Sequence, residues 1–332
     1  MDVVIRGDGV AAYCCAHLLN KAGLRVVLER VDRPRLPAIM LGDQALALIR
    51  GVFEHPSLLD KLPRIGKRIV AWGPNAKPLA VEHSAVVVSE EVLLEGIRPS
   101  LIPGANRNQE AQWTIFATRP LPAPTVENCF GSRMASTAPV TLRDGSDPGV
   151  CRIESLENGW LFLIPDAPTS GWLLAVGGTA EALLGRSQLI ALEVARLGSP
   201  SGGFPAFARI ASPLCALDWL ACGPAAISFD PICGDGTAHA VREAILASAV
   251  IRALMKGGPP TDLLSHYEAR LTAGFRRHLE ICRGFYQSGG ATPLWRSELE
   301  AIDRGIQWCD AKLGTHVRFR YRLRGFELEA AR

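Results

Sequence analysis

The first thirty residues alternate between apolar runs and breakers in a definite order. Val3-Val4-Ile5 is followed by the turn Gly7-Asp8-Gly9, then by a small and apolar stretch from Ala11 to Ala22, then by Leu24-Arg25-Val26-Val27-Leu28. A short β-branched run, a glycine turn, a helix-length stretch stopped by Gly23 and a second β-rich run predict a β–α–β unit. Further on, Trp160 and Phe162 alternate with Leu161 and Leu163, which predicts a strand presenting two apolar faces. The stretch from Thr237 to about Leu254 is rich in alanine and predicts a buried helix. From Asp262 to about Trp308 the spacing of Leu263, Tyr267, Leu271 and Phe275 predicts amphipathic helices.

The opening unit carries candidate chemistry. Gly7 permits a tight turn, Gly9 lets a pyrophosphate approach the backbone, and Ala12 is small where the helix must lie on the sheet. The first helical residues, Ala11 among them, point unpaired N–H groups and a positive dipole end at a phosphate. Glu29 lies 20 residues beyond Gly9, where a carboxylate can accept hydrogen bonds from ribose hydroxyls and repel a 2′-phosphate. The pattern therefore predicts FAD or NAD rather than NADP. The plain alternative is a glycine turn of some other α/β protein.

A second glycine-bearing region follows the same logic. Asp218 to Gly223 reads as a strand, Phe229-Asp230-Pro231 as an extended loop, and Gly234-Asp235-Gly236 as a bare turn opening the alanine-rich helix. This arrangement resembles the flavin end of FAD-dependent monooxygenases of the para-hydroxybenzoate hydroxylase fold, especially the tryptophan-halogenase-like branch. Met40-Leu41-Gly42-Asp43-Gln44, Ala71-Trp72-Gly73, the joint Ser84 to Glu91 and the segment Phe275 to Trp295 are similar to segments of that branch. The resemblance implies FAD as cofactor, with Gly42, Asp43, Gly223, Asp230, Pro231, Gly234 and Gly236 among its neighbours. It further implies oxygen transfer from a flavin C4a-hydroperoxide to an electron-rich aromatic ring, with NAD(P)H or a separate flavin reductase as electron donor. Within the branch, the short length and trimmed middle resemble maturation enzymes that hydroxylate a tryptophan of quinohemoprotein amine dehydrogenase, so a peptide or protein tryptophan is a candidate substrate beside a small aromatic molecule.

Departures from the pattern qualify this. Pro224 stands where the branch has an aspartate for the ribityl hydroxyls, and Ala117-Thr118 replaces the middle Asp-Gly motif. Arg64 falls where halogenases have a lysine, with Lys67 close by; an arginine stays charged and is a poor nucleophile. Hydroxylation is therefore expected over halogenation. A geranylgeranyl-reductase-like enzyme and a non-catalytic NAD-binding module are the alternatives. Trp160 and Phe162 are read either as a wall around an aromatic substrate or as core, and His239, His83, Asp43 and Glu243 are positional candidates for contact or proton transfer.

Composition changes the picture only at its edges. The 332 residues are 48% hydrophobic and 21% charged, with a net charge of +3, which allows about two domains and points away from disorder and nucleic-acid binding. Residues 1–50, 84–119 and 205–258 are expected to form an interrupted FAD domain, 51–83 and 120–204 an inserted, mostly antiparallel β-sheet domain, and 259–332 a C-terminal helical segment. Nine cysteines without a CxxC pair predict neither a disulfide framework nor a metal site, with Cys14, Cys15, Cys222 and Cys233 packed rather than reactive. Arg318, Arg320, Arg322 and Arg324 would share one face of a strand, either solvated or facing an acidic partner. No leader pattern or membrane-length apolar run is seen, so a cytoplasmic protein is expected.

Overall fold

The computed structural model describes residues 2–100, 112–314 and 319–331. The chain opens as the pattern predicts, with β1 (Asp2–Arg6), α1 (Val10–Lys21) and β2 (Arg25–Glu29). It continues through β3 (Ile39–Gly42), α2 (Asp43–Phe53), β4 (Arg64–Ala71), β5 (Leu79–Val88), α3 (Glu90–Gly96) and β6 (Trp113–Phe116). The middle is almost all strand: β7 (Val126–Phe130), β8 (Met134–Leu142), β9 (Val150–Leu156), β10 (Gly159–Ala167) and β11 (Ser170–Val176), then the short α4 (Ala180–Leu184), then β12 (Val194–Leu197), β13 (Phe204–Pro205) and β14 (Ala208–Ser212). The last third holds β15 (Trp219–Ala221), β16 (Ile227–Ser228), α5 (Gly236–Met255), α6 (Pro260–Gly289), α7 (Pro293–Leu313) and the hairpin β17 (Tyr321–Arg324) and β18 (Glu327–Ala330).

Two sheets dominate. A parallel four-stranded sheet has the order β15-β6-β1-β2, and α1 and α5 pack together beside it. The larger sheet runs β12-β8-β11-β10-β9-β4-β5-β3, with β13 added on β8, and is antiparallel except where β4 pairs with β9. This is the expected Rossmann-like α/β fold with an inserted β-sheet. Along β10 the alternation resolves into two cores: Trp160 and Phe162 face the main one, Leu161 and Leu163 a satellite core closed by α4. In α6 the stripe Leu263, Tyr267, Leu271 and Phe275 is buried along its whole length, each side chain contributing about 1.5–3 kcal/mol of transfer free energy.

Two expectations need correcting. The boundary at residue 83/84 falls inside β5, whose end pairs Ala85–Val88 with Gly42–Ile39 of β3, so both segments belong by hydrogen bonding to the large sheet. An apolar strand pairs wherever its register is matched, and local sequence cannot say in which sheet. The C-terminal segment is not wholly helical, because Gly325 at φ +59 turns β17 back on β18. The arginines there fit the solvated-strand reading: β17 is largely exposed, with Arg320 Nη1 2.9 Å from Asp262 Oδ1 and Arg322 and Arg324 flanking Glu329 at 3.3 and 3.5 Å. Arg318 lies outside the described residues.

One buried ionic cluster joins the inserted sheet to the last third. Arg133, entering β8, is 3% exposed; its Nη2 donates to Asp230 Oδ2 at 2.7 Å and its Nη1 lies 3.5 Å from Glu298 Oε2 on α7. Its guanidinium also stacks 3.9 Å over Tyr286 of α6. Glu298 accepts from the backbone N–H and hydroxyl of Ser132 at 2.9 and 2.7 Å. Arg133→Met would leave two buried carboxylates facing one another. The variant is expected to lose about 3–5 kcal/mol of unfolding free energy in chemical denaturation, and a loss within the scatter of surface substitutions would contradict this role.

Candidate functional site

The N-terminus of α1 is bare. No side chain caps Gly9, and the first amide with a backbone partner in the helix is Tyr13, which donates to Gly9 O at 3.0 Å. Val10, Ala11 and Ala12 are buried there. Gly7, at φ +122, has a backbone that strains any side chain, and a Cβ would make a tight 3.2 Å contact with the Ala117 carbonyl carbon. The residues standing in for the missing Asp-Gly motif thus pack against the turn. The missing Cβ of Gly9 leaves a space that the Arg33 guanidinium borders at 3.1 Å.

That guanidinium belongs to a quartet. Arg33 pairs with Glu90 through Nη2–Oε1 and through Nη1–Oε2 at 3.0 Å; Arg35 pairs with Asp8 through Nη2–Oδ2 and through Nη1–Oδ1 at 3.1 Å. The two pairs approach one another at 4.0 Å. Glu90 also accepts from Leu36 N at 2.9 Å. Ser89 caps α3 as expected, taking the Val92 N–H at 3.3 Å, but Glu90 serves the arginines rather than only the helix dipole. Glu29 is engaged by Arg6 Nε at 2.9 Å in a half-exposed pair.

The second turn is built by Asp230. Its carboxylate takes the Ile232 N–H at 3.0 Å, which winds Pro231–Cys233 into a 3₁₀ turn, and Gly234 leaves that turn at φ +67. No side chain caps α5, and a Cβ on Gly234 or Gly236 would meet nothing within 4 Å. Gly223, at φ +58, joins this region to α1, since a Cβ there would stand 2.7 Å from the Ala11 Cβ. Its N–H donates to Glu243 Oε2 at 2.8 Å. Glu243 lies two turns into α5, so Gly223 touches the first turn of α1 and a later turn of α5. Pro224 is exposed.

The other candidates are distributed as follows. Trp160 is fully buried, edge-on to Trp72 at 6.3 Å, and donates to Tyr286 OH at 3.2 Å; it is core, not the exposed wall of a cavity. Phe162 is 7% exposed and lies under Arg68, 5.7 Å from ring to guanidinium. His239 pairs with Asp235 at 2.9 Å and stacks on Phe229 at 4.0 Å. Asp43 is exposed and bound to Arg64, whose Nη2 also donates to Ser84 Oγ at 2.8 Å. His83 stands 3.0 Å from Arg68 Nη2, and burial with that cation lowers its pKa. Gly42 caps α2 with extended backbone. Cys14, Cys15 and Cys222 are buried.

Sequence reasoning missed a group around α6. Cys233, His278 and Cys282 gather their donor atoms within 4.8 Å, as do Asp235, His239 and His278. The i, i+4 spacing of His278 and Cys282 was the one available signal. Burial pushes the His278 imidazole down to about 4. A cleft of about 530 Å³ opens nearby, lined by Ser132, Arg133, Met134, Ala135, Thr179 and Leu294 among others. No helix among the described residues is long and apolar enough to cross a membrane.

No family model matches the chain, and no curated protein matches it by sequence. Solved structures do match. A peptidyl tryptophan dihydroxylase, QhpG, described as essential for tryptophylquinone cofactor biogenesis, superposes with a TM-score of 0.73 at 20% identity, covering 99% of this chain and 86% of that one. The myxobacterial chondrochloren halogenase CndH gives 0.72 at 16% identity over 95% and 90%. The p-nitrophenol 4-monooxygenase PnpA of Pseudomonas putida gives 0.65 at 16% over 95% and 98%. These likenesses establish the fold, that of the flavin-dependent monooxygenases and halogenases.

Glu243 generates a prediction of its own. Burial raises its carboxyl to about 8, and Oε1 has no partner. A raised folded-state value contributes stability that is complete below the unfolded value of about 4.3 and is lost as pH rises through about 8. Between those limits native stability should fall relative to Glu243→Gln by up to about 1.4 kcal/mol per pH unit. Denaturation curves of the two proteins at several pH values test this, and parallel pH dependences would refute it.

Proposed function

We propose that the chain is an FAD-dependent monooxygenase that hydroxylates an electron-rich aromatic ring, with a tryptophan side chain of a partner peptide or protein as substrate. The observation that carries the reading is the pair of uncapped helix starts, α1 and α5, on helices that pack together and both contact Gly223. Such ends attract anionic groups through free N–H donors and a dipole of about half a charge. The α1 start with Gly7, Gly9, Ala11 and Ala12 would hold the diphosphate, with Arg33 beside it. Glu29 would take the ribose hydroxyls, exchanging a surface pair with Arg6 that is worth about 0–1 kcal/mol. Gly234 and Gly236 border open space at the α5 start, which suits the pyrimidine edge of a flavin, with Pro231 and Asp230 shaping the turn. Pro224 offers the ribityl chain no hydrogen bond. Bound FAD would supply oxygen activation, using electrons from NAD(P)H or a separate flavin reductase.

The chain's own residues bind, orient and exclude water. The cleft beside Arg133 is lined largely by apolar groups, and Arg133 ties its wall to Asp230 at the second turn. Its size suits one aromatic side chain, and its open mouth suits a substrate carried on a chain. Halogenation is disfavoured because Arg64, where the halogenases have a lysine, stays charged and is a poor nucleophile.

The purified protein, reconstituted with FAD, is expected to stay yellow after desalting. Given NADPH, a flavin reductase and ¹⁸O₂, it should add labelled oxygen to a tryptophan-containing peptide, read by mass spectrometry. A colourless protein that ignores FAD would sink the cofactor assignment, and unlabelled product would sink the monooxygenase. Gly9→Val should weaken FAD binding by about tenfold or more, equivalent to about 1.4 kcal/mol, without unfolding the chain.

A further inference from the structure

Cys233 closes the 3₁₀ turn before α5, and His278 and Cys282 stand one turn apart on α6. Cys233 Sγ is 3.7 Å from Cys282 Sγ, and Cys282 Sγ is 3.3 Å from His278 Nε2. In a tetrahedral zinc site with bonds of about 2.3 Å to sulfur and about 2.0–2.1 Å to nitrogen, the S–S and S–N edges are about 3.8 and about 3.5 Å. The observed spacings lie within a few tenths of these.

The tautomer of His278 agrees. The Asp230 N–H donates to Nε2 at 2.9 Å, so the lone pair is on Nε2, which also faces Cys282, and the ring proton is on Nδ1. Nδ1 is buried without a partner, and so is Asp235 Oδ1. Donor atoms of Asp235, His239 and His278 lie within 4.8 Å of one another. A histidine that ligates through one nitrogen usually turns the other N–H toward a carboxylate, and Asp235 is the carboxylate gathered beside His278.

We propose that Cys233, His278 and Cys282 form a three-ligand site for a zinc-class divalent cation that braces the turn before α5 against α6. Binding releases the two thiol protons to solvent and forms two metal–sulfur bonds and one metal–nitrogen bond; the dipositive ion and two thiolates make a neutral centre suited to burial. A water fills the fourth position, reached from the partly exposed side of Cys233. The Asp230 N–H now occupies the Nε2 lone pair, so binding requires the turn at Asp230 to draw that N–H away from the ring and find it another acceptor. The proposal stands independently of the flavin reading.

The test uses the full-length chain, reduced, stripped with a chelator and titrated with Co²⁺ and then Zn²⁺. One equivalent of Co²⁺ should produce a thiolate-to-cobalt charge-transfer band and tetrahedral ligand-field bands, which Zn²⁺ abolishes. Cys233→Ser, at a partly exposed turn, should weaken zinc binding about tenfold or more, while Cys129→Ser, at an exposed thiol elsewhere, should leave it unchanged. Absence of the charge-transfer band, or equal affinity in Cys233→Ser, would overturn the site. A Cys233–Cys282 disulfide forming as readily with zinc present as without it would overturn it in favour of a redox pair.

Discussion

The structure turns on a contact with no room for a single extra carbon. At Gly223 the end of β15 lies on the first turn of α1, where an added Cβ would come within 2.7 Å of Ala11, and the backbone there takes φ +58. The Gly223 N–H is held by Glu243 of α5, the neighbouring Cys222 N–H by Phe116 O at 2.8 Å, and Ala221 O by the Tyr267 hydroxyl at 2.6 Å. One short stretch therefore fixes the parallel sheet, both small-residue helices and α6 with respect to one another. Close approach of this kind is what glycine permits and any other residue strains.

Burying charge is the second constraint, and magnitudes decide what it achieves. Arg133, Asp230 and Glu298 are nearly solvent-free, so their mutual attraction largely repays the cost of desolvation rather than adding a surplus. What the cluster contributes is direction. A guanidinium that meets two carboxylates and lies flat on Tyr286 ties β8 to the turn at Asp230, α6 and α7. An apolar substitute could fill the same volume without those ties.

Much of this was legible in the chain. The opening β–α–β unit follows from β-branched runs, two glycines and a helix of small residues, because those are local requirements. The two faces of β10 follow from period-two alternation, yet nothing local distinguished a face on the core from one on a cavity, and Trp160 proved to be core. The pairing of β3 with β5 was illegible for a related reason: apolar strands are locally alike, and register is decided by residues 43 to 49 positions away. The pairings Arg33–Glu90, Arg64–Asp43 and Arg133–Asp230 were illegible because any arginine could pair with any acid until the fold brings them together. Cys233 and Cys282, 49 residues apart, show the same limit, since cysteines on a turn and on a helix carry no spacing rule.

The quartet at the first turn bears on how an anion would be held there. Asp8 and Glu90 balance Arg33 and Arg35, so the four together carry no net charge, and the attraction at Gly9 comes first from the helix dipole and the free amides of α1, about half a charge. Arg33 is the exception to that neutrality in geometry, because its guanidinium already borders the bare face of Gly9 while a third of it remains exposed. An anion arriving there need not extract it from Glu90, which keeps the Leu36 N–H and has Arg35 within 4.0 Å. A guanidinium has five donors in a planar fork, enough to serve a carboxylate on one edge and an anion on the other. The ionic quartet thus holds the loop from Arg33 to Leu36 in place without consuming the donors that the turn would offer a ligand.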